Sequence, residues 1–111
     1  MSEAATEISE DVIAEVRAAN PGVELHLLGN EYGQAIFRVP PAAVHDRFIE
    51  QASDPTTRVQ AIRALVFGSL VYPTKEQFQE LVRARPGLVA VFGGELVEIA
   101  GTKRVSVNRK L

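Results

Sequence analysis

Apolar and polar positions along this 111-residue chain change period several times, and each change marks an element. Ile8, Val12, Val16 and Ala19 recur at helical spacing, with Ile13 widening the stripe, which predicts a helix from about Ser9 to Ala19. Ser9 can accept a first-turn N–H, and Glu10 and Asp11 suit the positive end of the helix dipole. Asn20-Pro21-Gly22 ends the pattern, because Pro cannot continue the hydrogen-bond ladder. The period then falls to two: Val23, Leu25 and Leu27 alternate with Glu24 and His26. Gly29 to Gly33 reads as a turn, and Gln34 to Val39 as the return strand of a β-hairpin. The unbroken run Ala35-Ile36-Phe37 predicts a strand covered on both faces or one near an edge. Two strands alone are marginal, so the hairpin must pack on helices or find a third strand.

From Pro40-Pro41 onward the period is helical again. Pro41 suits a first helical residue, and Val44, Phe48 and Ile49 form an apolar stripe. Asp54-Pro55 reads as a second start signal, followed by a helix to about Val71 with Val59, Ile62, Val66 and Leu70 in register. Tyr72-Pro73 stops it, and Thr74 with Gln77 reads as a capping box for a helix carrying Phe78, Leu81 and Val82. After Pro86-Gly87, Leu88, Phe92, Leu96 and Ile99 repeat at helical spacing up to Gly101, a natural C-cap. Gly93-Gly94 inside this pattern calls for a kink or a close helix contact. The expected fold is α+β and mostly helical: an N-terminal helix and hairpin, a bundle of about four helices, and a basic C-terminal tail in which Val105-Ser106-Val107 could form a short strand. It is expected as one domain over residues 1–111, with 1–7 and 102–111 as flexible termini.

Composition narrows the chemistry. With no cysteine, disulfides, zinc–thiolate sites and a cysteine nucleophile are excluded. The acidic, polar start lacks the apolar core of a secretory signal, and the longest apolar stretch, Ala64 to Tyr72, is too short to span a bilayer. A cytoplasmic location is therefore expected, with no membrane contact. A net charge of -2 and a pI near 5.7 argue against a dedicated nucleic-acid binder. The two histidines, His26 and His45, sit on different elements among polar neighbours and read as solvated or hydrogen-bonded surface residues. Glu76 with Glu80, and Glu95 with Glu98, share helix faces opposite the apolar stripes and read as solvated. No phosphate-binding glycine loop is present, and Ser69 has no GxSxG context. No catalytic residue, metal ligand, cofactor or small-molecule substrate is assigned. Lys103, Arg104, Arg109 and Lys110 make the tail basic, able to touch phosphates or an acidic protein surface. The apolar stretch from Leu65 to Tyr72 is either ordinary core or a groove for an apolar partner helix.

Several features together resemble a small phage tail assembly chaperone. They are Phe37-Arg38 and Pro40-Pro41 closing the hairpin, Arg58 and Arg63 on a helix that becomes apolar, Leu70-Val71-Tyr72-Pro73 ending it, and then Leu81, Pro86-Gly87-Leu88, Leu96 and Glu98-Ile99-Ala100-Gly101. The resemblance spans most of residues 10 to 101 in loose patterns of apolar residues, Pro and Gly; the segment after Gly101 lies outside it. It implies a non-enzymatic protein of the bacterial host cytoplasm, from a phage or prophage, that binds the long, helical tape measure protein and helps tail tube protein gather around it. Members are often also made in a longer, frameshifted form. On that reading the partner-binding groove is lined by Leu65, Phe67, Val71, Tyr72, Phe78 and Phe92. A second reading is a structural subunit of a tail, connector or contractile injection particle, in which the hairpin and the Val105–Val107 segment pair edge to edge with neighbours or, in a homo-oligomer, with another copy. A third is a small DNA-binding regulator whose helices over 55–71 and 75–85 mimic a helix-turn-helix, against which the acidic balance weighs.

Overall fold

The computed structural model describes residues 7–101. The expected strand Val105–Val107 and the basic residues Lys103, Arg104, Arg109 and Lys110 lie outside the described residues, as do the expected flexible ends apart from Glu7. Among the described residues the fold is α+β and mostly helical, in the order α1 (Glu10–Ala19), β1 (Leu25–Asn30), β2 (Gly33–Arg38), α2 (Ala42–Ala52), α3 (Arg58–Ser69), β3 (Leu70–Tyr72), α4 (Lys75–Ala84) and α5 (Leu88–Ala100).

Local chemistry accounts for the element ends. The Ser9 hydroxyl accepts the Val12 N–H at 3.2 Å and starts α1. The Asn20 side chain donates to the Val16 carbonyl at 2.8 Å and closes it. In the hairpin, Asn30 pairs with Gly33, and the Asn30 carboxamide oxygen accepts the Tyr32 N–H at 2.8 Å across the tight turn. Thr74 and Gln77 form the expected reciprocal capping box at the head of α4, each backbone N–H donating to the other side chain at 3.2 Å.

The antiparallel sheet has the order β1-β2-β3. The third strand corrects the expected helix to Val71: α3 stops at Ser69, and Leu70 turns extended with ψ 132°. Leu70-Val71-Tyr72 is apolar, so periodicity alone cannot separate its strand from the preceding helix. Pairing Tyr72 with Ile36 and Leu70 with Phe37 satisfies the central strand β2 on its second edge. The start of α3 also differs from expectation. Asp54 caps a turn rather than the helix, its carboxylate accepting the Thr56 N–H and hydroxyl, each at 2.9 Å. The backbone N–H of Thr56, then its hydroxyl, and the nearby Arg58 hold the Asp54 carboxyl below the usual carboxylate range. Thr57 Oγ1 and Arg58 Nε then donate to the Gln51 and Ala52 carbonyls, tying α3 to the open end of α2.

Helix α3 is the hub of the helical layer, packing on both α2 and α5. It turns Ala61, Leu65, Val66 and Ser69 inward. Val59, expected in the apolar register, is 77% exposed, and Ile49 of α2 is 55% exposed. Their helices instead turn Ala61 and Leu65, which are buried, and Val44 and Phe48, which are partly buried, toward the core. Gly93 explains half of the glycine pair: a Cβ there would meet Ile62 Cγ2 at 2.7 Å, whereas Gly94 faces open space. Gly93→Ala is expected to lose about 1 kcal/mol net, overpacking outweighing the helix-propensity gain. Gly94→Ala should gain up to ~1 kcal/mol. Denaturant midpoints of the two variants should move in opposite directions.

Candidate functional site

The six residues expected to line a partner groove do not share a surface. Leu65, Phe78 and Phe92 are buried at 1%, 0% and 0% exposure. The reason is an aromatic cluster that the sheet completes. Phe37 of β2 meets Phe78 of α4 edge-on at 6.0 Å and Phe92 of α5 at 5.2 Å, and Phe78 lies 5.7 Å from Phe92. Such pairs are worth ~0.5–1.5 kcal/mol beyond area burial, so these rings belong to the core of the monomer. Phe67 is half-buried, with its ring 5.2 Å from Phe78 on one side and the Arg63 guanidinium 5.1 Å from its centroid on the other. It floors a shallow hollow between α3 and α4, rimmed by Gln60, Lys75 and Gln79. Val71 and Tyr72 are half-buried on β3; Tyr72 lines a separate hollow with Ile8, Gln34 and Leu81.

A second, partly apolar surface lies on the sheet. Successive strand residues point to opposite faces. Ala35 and Phe37 enter the helical core together with Leu28 from β1. Ile36, between them, points the other way, and its partner in register is Leu27. Leu25, Leu27 and Ile36 therefore form the outer face of the hairpin. Helix α1 crosses this face. At one end the Ile8 N–H donates to Gln34 Oε1 at 2.8 Å, beside Tyr72. At the other, Ile13, Arg17 and Asn20 stand opposite Val23, Leu25 and Leu27.

The cover is incomplete. Between α1 and the hairpin lies an open hollow of about 500 Å³, lined by Ile13, Val23, Leu25, Leu27 and Ile36 with Arg17 and Glu24 at its rim. Val23 and Leu27 remain 43% and 45% exposed, while Ile36 is 3% exposed. Arg38, opposite Leu25 in register, is exposed and makes no ion pair among the described residues. The strict alternation of Val23, Leu25 and Leu27 in sequence marks this face, but an alternating strand is ordinarily read as turning its apolar side to the core.

The polar groups sit apart from one another. His26 Nε2 is 2.7 Å from Glu24 Oε2, Glu80 pairs with Arg83 on the surface of α4, and the Tyr32 ring lies under the Arg85 guanidinium at 4.4 Å. Among the described residues no group of three or more His, Cys, Asp or Glu is placed to hold a metal. No described helix is long and apolar enough to cross a membrane.

The fold and site define a small α+β domain with a helix laid across the outer face of a three-stranded sheet. Residues 23–110 match the family described as Domain of unknown function (DUF6848), and the chain belongs to that family. No curated protein matches it. The fold is similar to that of the uncharacterised protein rbstp2171 from Bacillus stearothermophilus, with a TM-score of 0.68 at 18% identity, over 87% of this chain and 99% of the other.

Proposed function

We propose that the protein is a non-enzymatic tail assembly chaperone of a phage or prophage, which covers apolar helical segments of a tape measure protein and promotes assembly of the tail tube around it. The likeness of residues 10 to 101 to that family motivates the reading. The observation that carries it is the outer sheet face, where Val23 and Leu27 stay nearly half exposed beside an open hollow of mixed apolar and polar lining. A long amphipathic helix must stay dispersed before the tube encloses it, and an apolar seat on a small partner does this by removing surface from water. Covering on the order of 100 Å² there contributes roughly 2.5 kcal/mol.

Co-expression with a phage tape measure protein should yield a complex that stays in solution and co-purifies. Leu27→Glu places a charge in the hollow at an already half-open position, so the fold is retained, and it should weaken the complex roughly tenfold or more, the equivalent of about 1.4 kcal/mol. An undiminished complex with a folded Leu27→Glu variant would remove this surface from the reading. Recovery of the protein in stoichiometric amounts from purified particles would instead favour a structural subunit, for which the outer edge of β1, unpaired among the described residues, offers a docking strand.

A further inference from the structure

We infer that α1 is a stand-in for the partner: it occupies the outer face of the sheet in cis, and an amphipathic helix of the partner takes that seat when α1 swings away. The inference rests on the chaperone reading for the partner's identity, but the release of α1 is a property of this chain alone. Three observations carry it. Only Val16 is buried among the ten residues of α1, and α1 has no place among the element pairs that pack closely on one another. The helix joins the sheet through the exposed Pro21-Gly22 turn, and the family match begins directly after it, at Val23. What α1 covers includes the apolar side chains of Leu25, Leu27 and Ile36, a floor that the helix fills only in part and that Arg38 borders in register.

The resident helix shows the chemistry that fits. Its apolar stripe, Ile8, Val12, Ile13 and Val16, lies toward the sheet, and its outer side carries Glu10, Asp11 and Glu15. Arg38 stands on the same face of the sheet without an ion pair among the described residues. The occupant is therefore a partner helix with an apolar stripe of this spacing and a carboxylate able to meet Arg38. Segments that must open for binding are drawn from the least stable part of a fold, and a single buried side chain, Val16, holds α1 on the sheet.

The absence of native cysteine permits a direct test in the full chain. Ala35→Cys and Ile36→Cys place single thiols at neighbouring positions of β2, one under the helical core and one under α1, at 0% and 3% exposure. With a maleimide reagent, the thiol of Ile36→Cys should react on the order of 100-fold faster than that of Ala35→Cys, because α1 opens without unfolding of the core. Adding Val16→Glu should speed the first reaction and leave the second unchanged. Equal rates at the two positions would overturn the inference. Should either cysteine variant fail to fold, amide hydrogen exchange of the unmodified chain decides: α1 exchanging in step with β2 and α5 overturns it, and faster exchange confined to α1 supports it. In the co-purified complex with the tape measure protein the thiol of Ile36→Cys should be protected; continued rapid labelling there would refute the seat. Rapid labelling of the free chain with no complex formed would defeat the chaperone reading while leaving the release of α1 in place.

Discussion

Phe78→Ala is expected to lower the stability of the free protein by about 3–5 kcal/mol, the largest loss from any single truncation here. Its side chain is fully buried and touches three other phenylalanines: Phe37 edge-on, Phe67 edge-on at 5.2 Å, and Phe92 tilted at 5.7 Å. Removing it leaves a cavity where β2, α3, α4 and α5 converge. None of those elements can move inward without breaking contacts to another, so the cavity cannot close. Domains of this size are stable by only ~5–15 kcal/mol, so the variant should keep its fold with a small margin or lose it at moderate temperature. Val59→Ala, at a position 77% exposed, should stay within about 0.5 kcal/mol of the parent and serves as the reference. Denaturant titrations of the two variants check the contrast; a loss below ~1 kcal/mol for Phe78→Ala would contradict the cluster. A charge at Phe78 would therefore report on folding and not on partner binding.

Gly29→Ala is expected to cost about 2–5 kcal/mol, combining backbone strain with an overlap that nothing can relieve. Gly29 has φ +154°, and a Cβ built there would lie 2.3 Å from the Gly33 carbonyl oxygen and 2.7 Å from Gln34 Cα. Those obstacles are backbone atoms of the adjacent strand, not the ends of pliable side chains. The strands must separate near the turn, which disturbs the register that sets Ile36 against Leu27 and Phe37 against His26. A slip of one residue would exchange the two faces of β2 and expel Phe37 from the core. The loss should appear in the thermal midpoint together with faster amide exchange across β1 and β2. Unchanged stability would mean that the hairpin relaxes around the new methyl group.

Much of the fold was legible because local chemistry and tertiary packing agree. Ser9 starts α1, Thr74 and Gln77 cap α4, and the unbroken apolar run Ala35-Ile36-Phe37 does belong to a strand covered on both faces. The failures fall where a short apolar run satisfies two periods at once. Leu70-Val71-Tyr72 continues the helical register of α3 and also suits a strand, and only the open edge of β2 decides between them. Asp54 carries the chemistry of a helix cap, but its carboxylate is taken by Thr56 one turn too early.

The site was less legible for a related reason. Hydrophobicity marks Leu65, Phe78 and Phe92 as sticky without telling which side of the molecule they face, and the aromatic cluster seals them inside. The useful signal was the pairing of two patterns. A strand with three apolar residues in a row needs cover on both sides, and α1, with its own apolar stripe, lies outside the helical bundle. Read together, Ile36 and the stripe from Ile8 to Val16 place α1 on the outer face of the hairpin.

The three rings that meet at the centre come from β2, α4 and α5, with Phe37 and Phe92 separated by about half of the chain. A ribosome delivers Phe37 early and Phe92 last. Until α5 emerges, the hairpin lacks Leu88, Phe92 and Leu96 on its inner side, and the nascent polypeptide leaves Ala35, Phe37, Leu65 and Phe78 only partly covered. Products interrupted before Leu88 should therefore behave as quality-control substrates rather than as shortened working copies, and the molecule should mature in one late, concerted step.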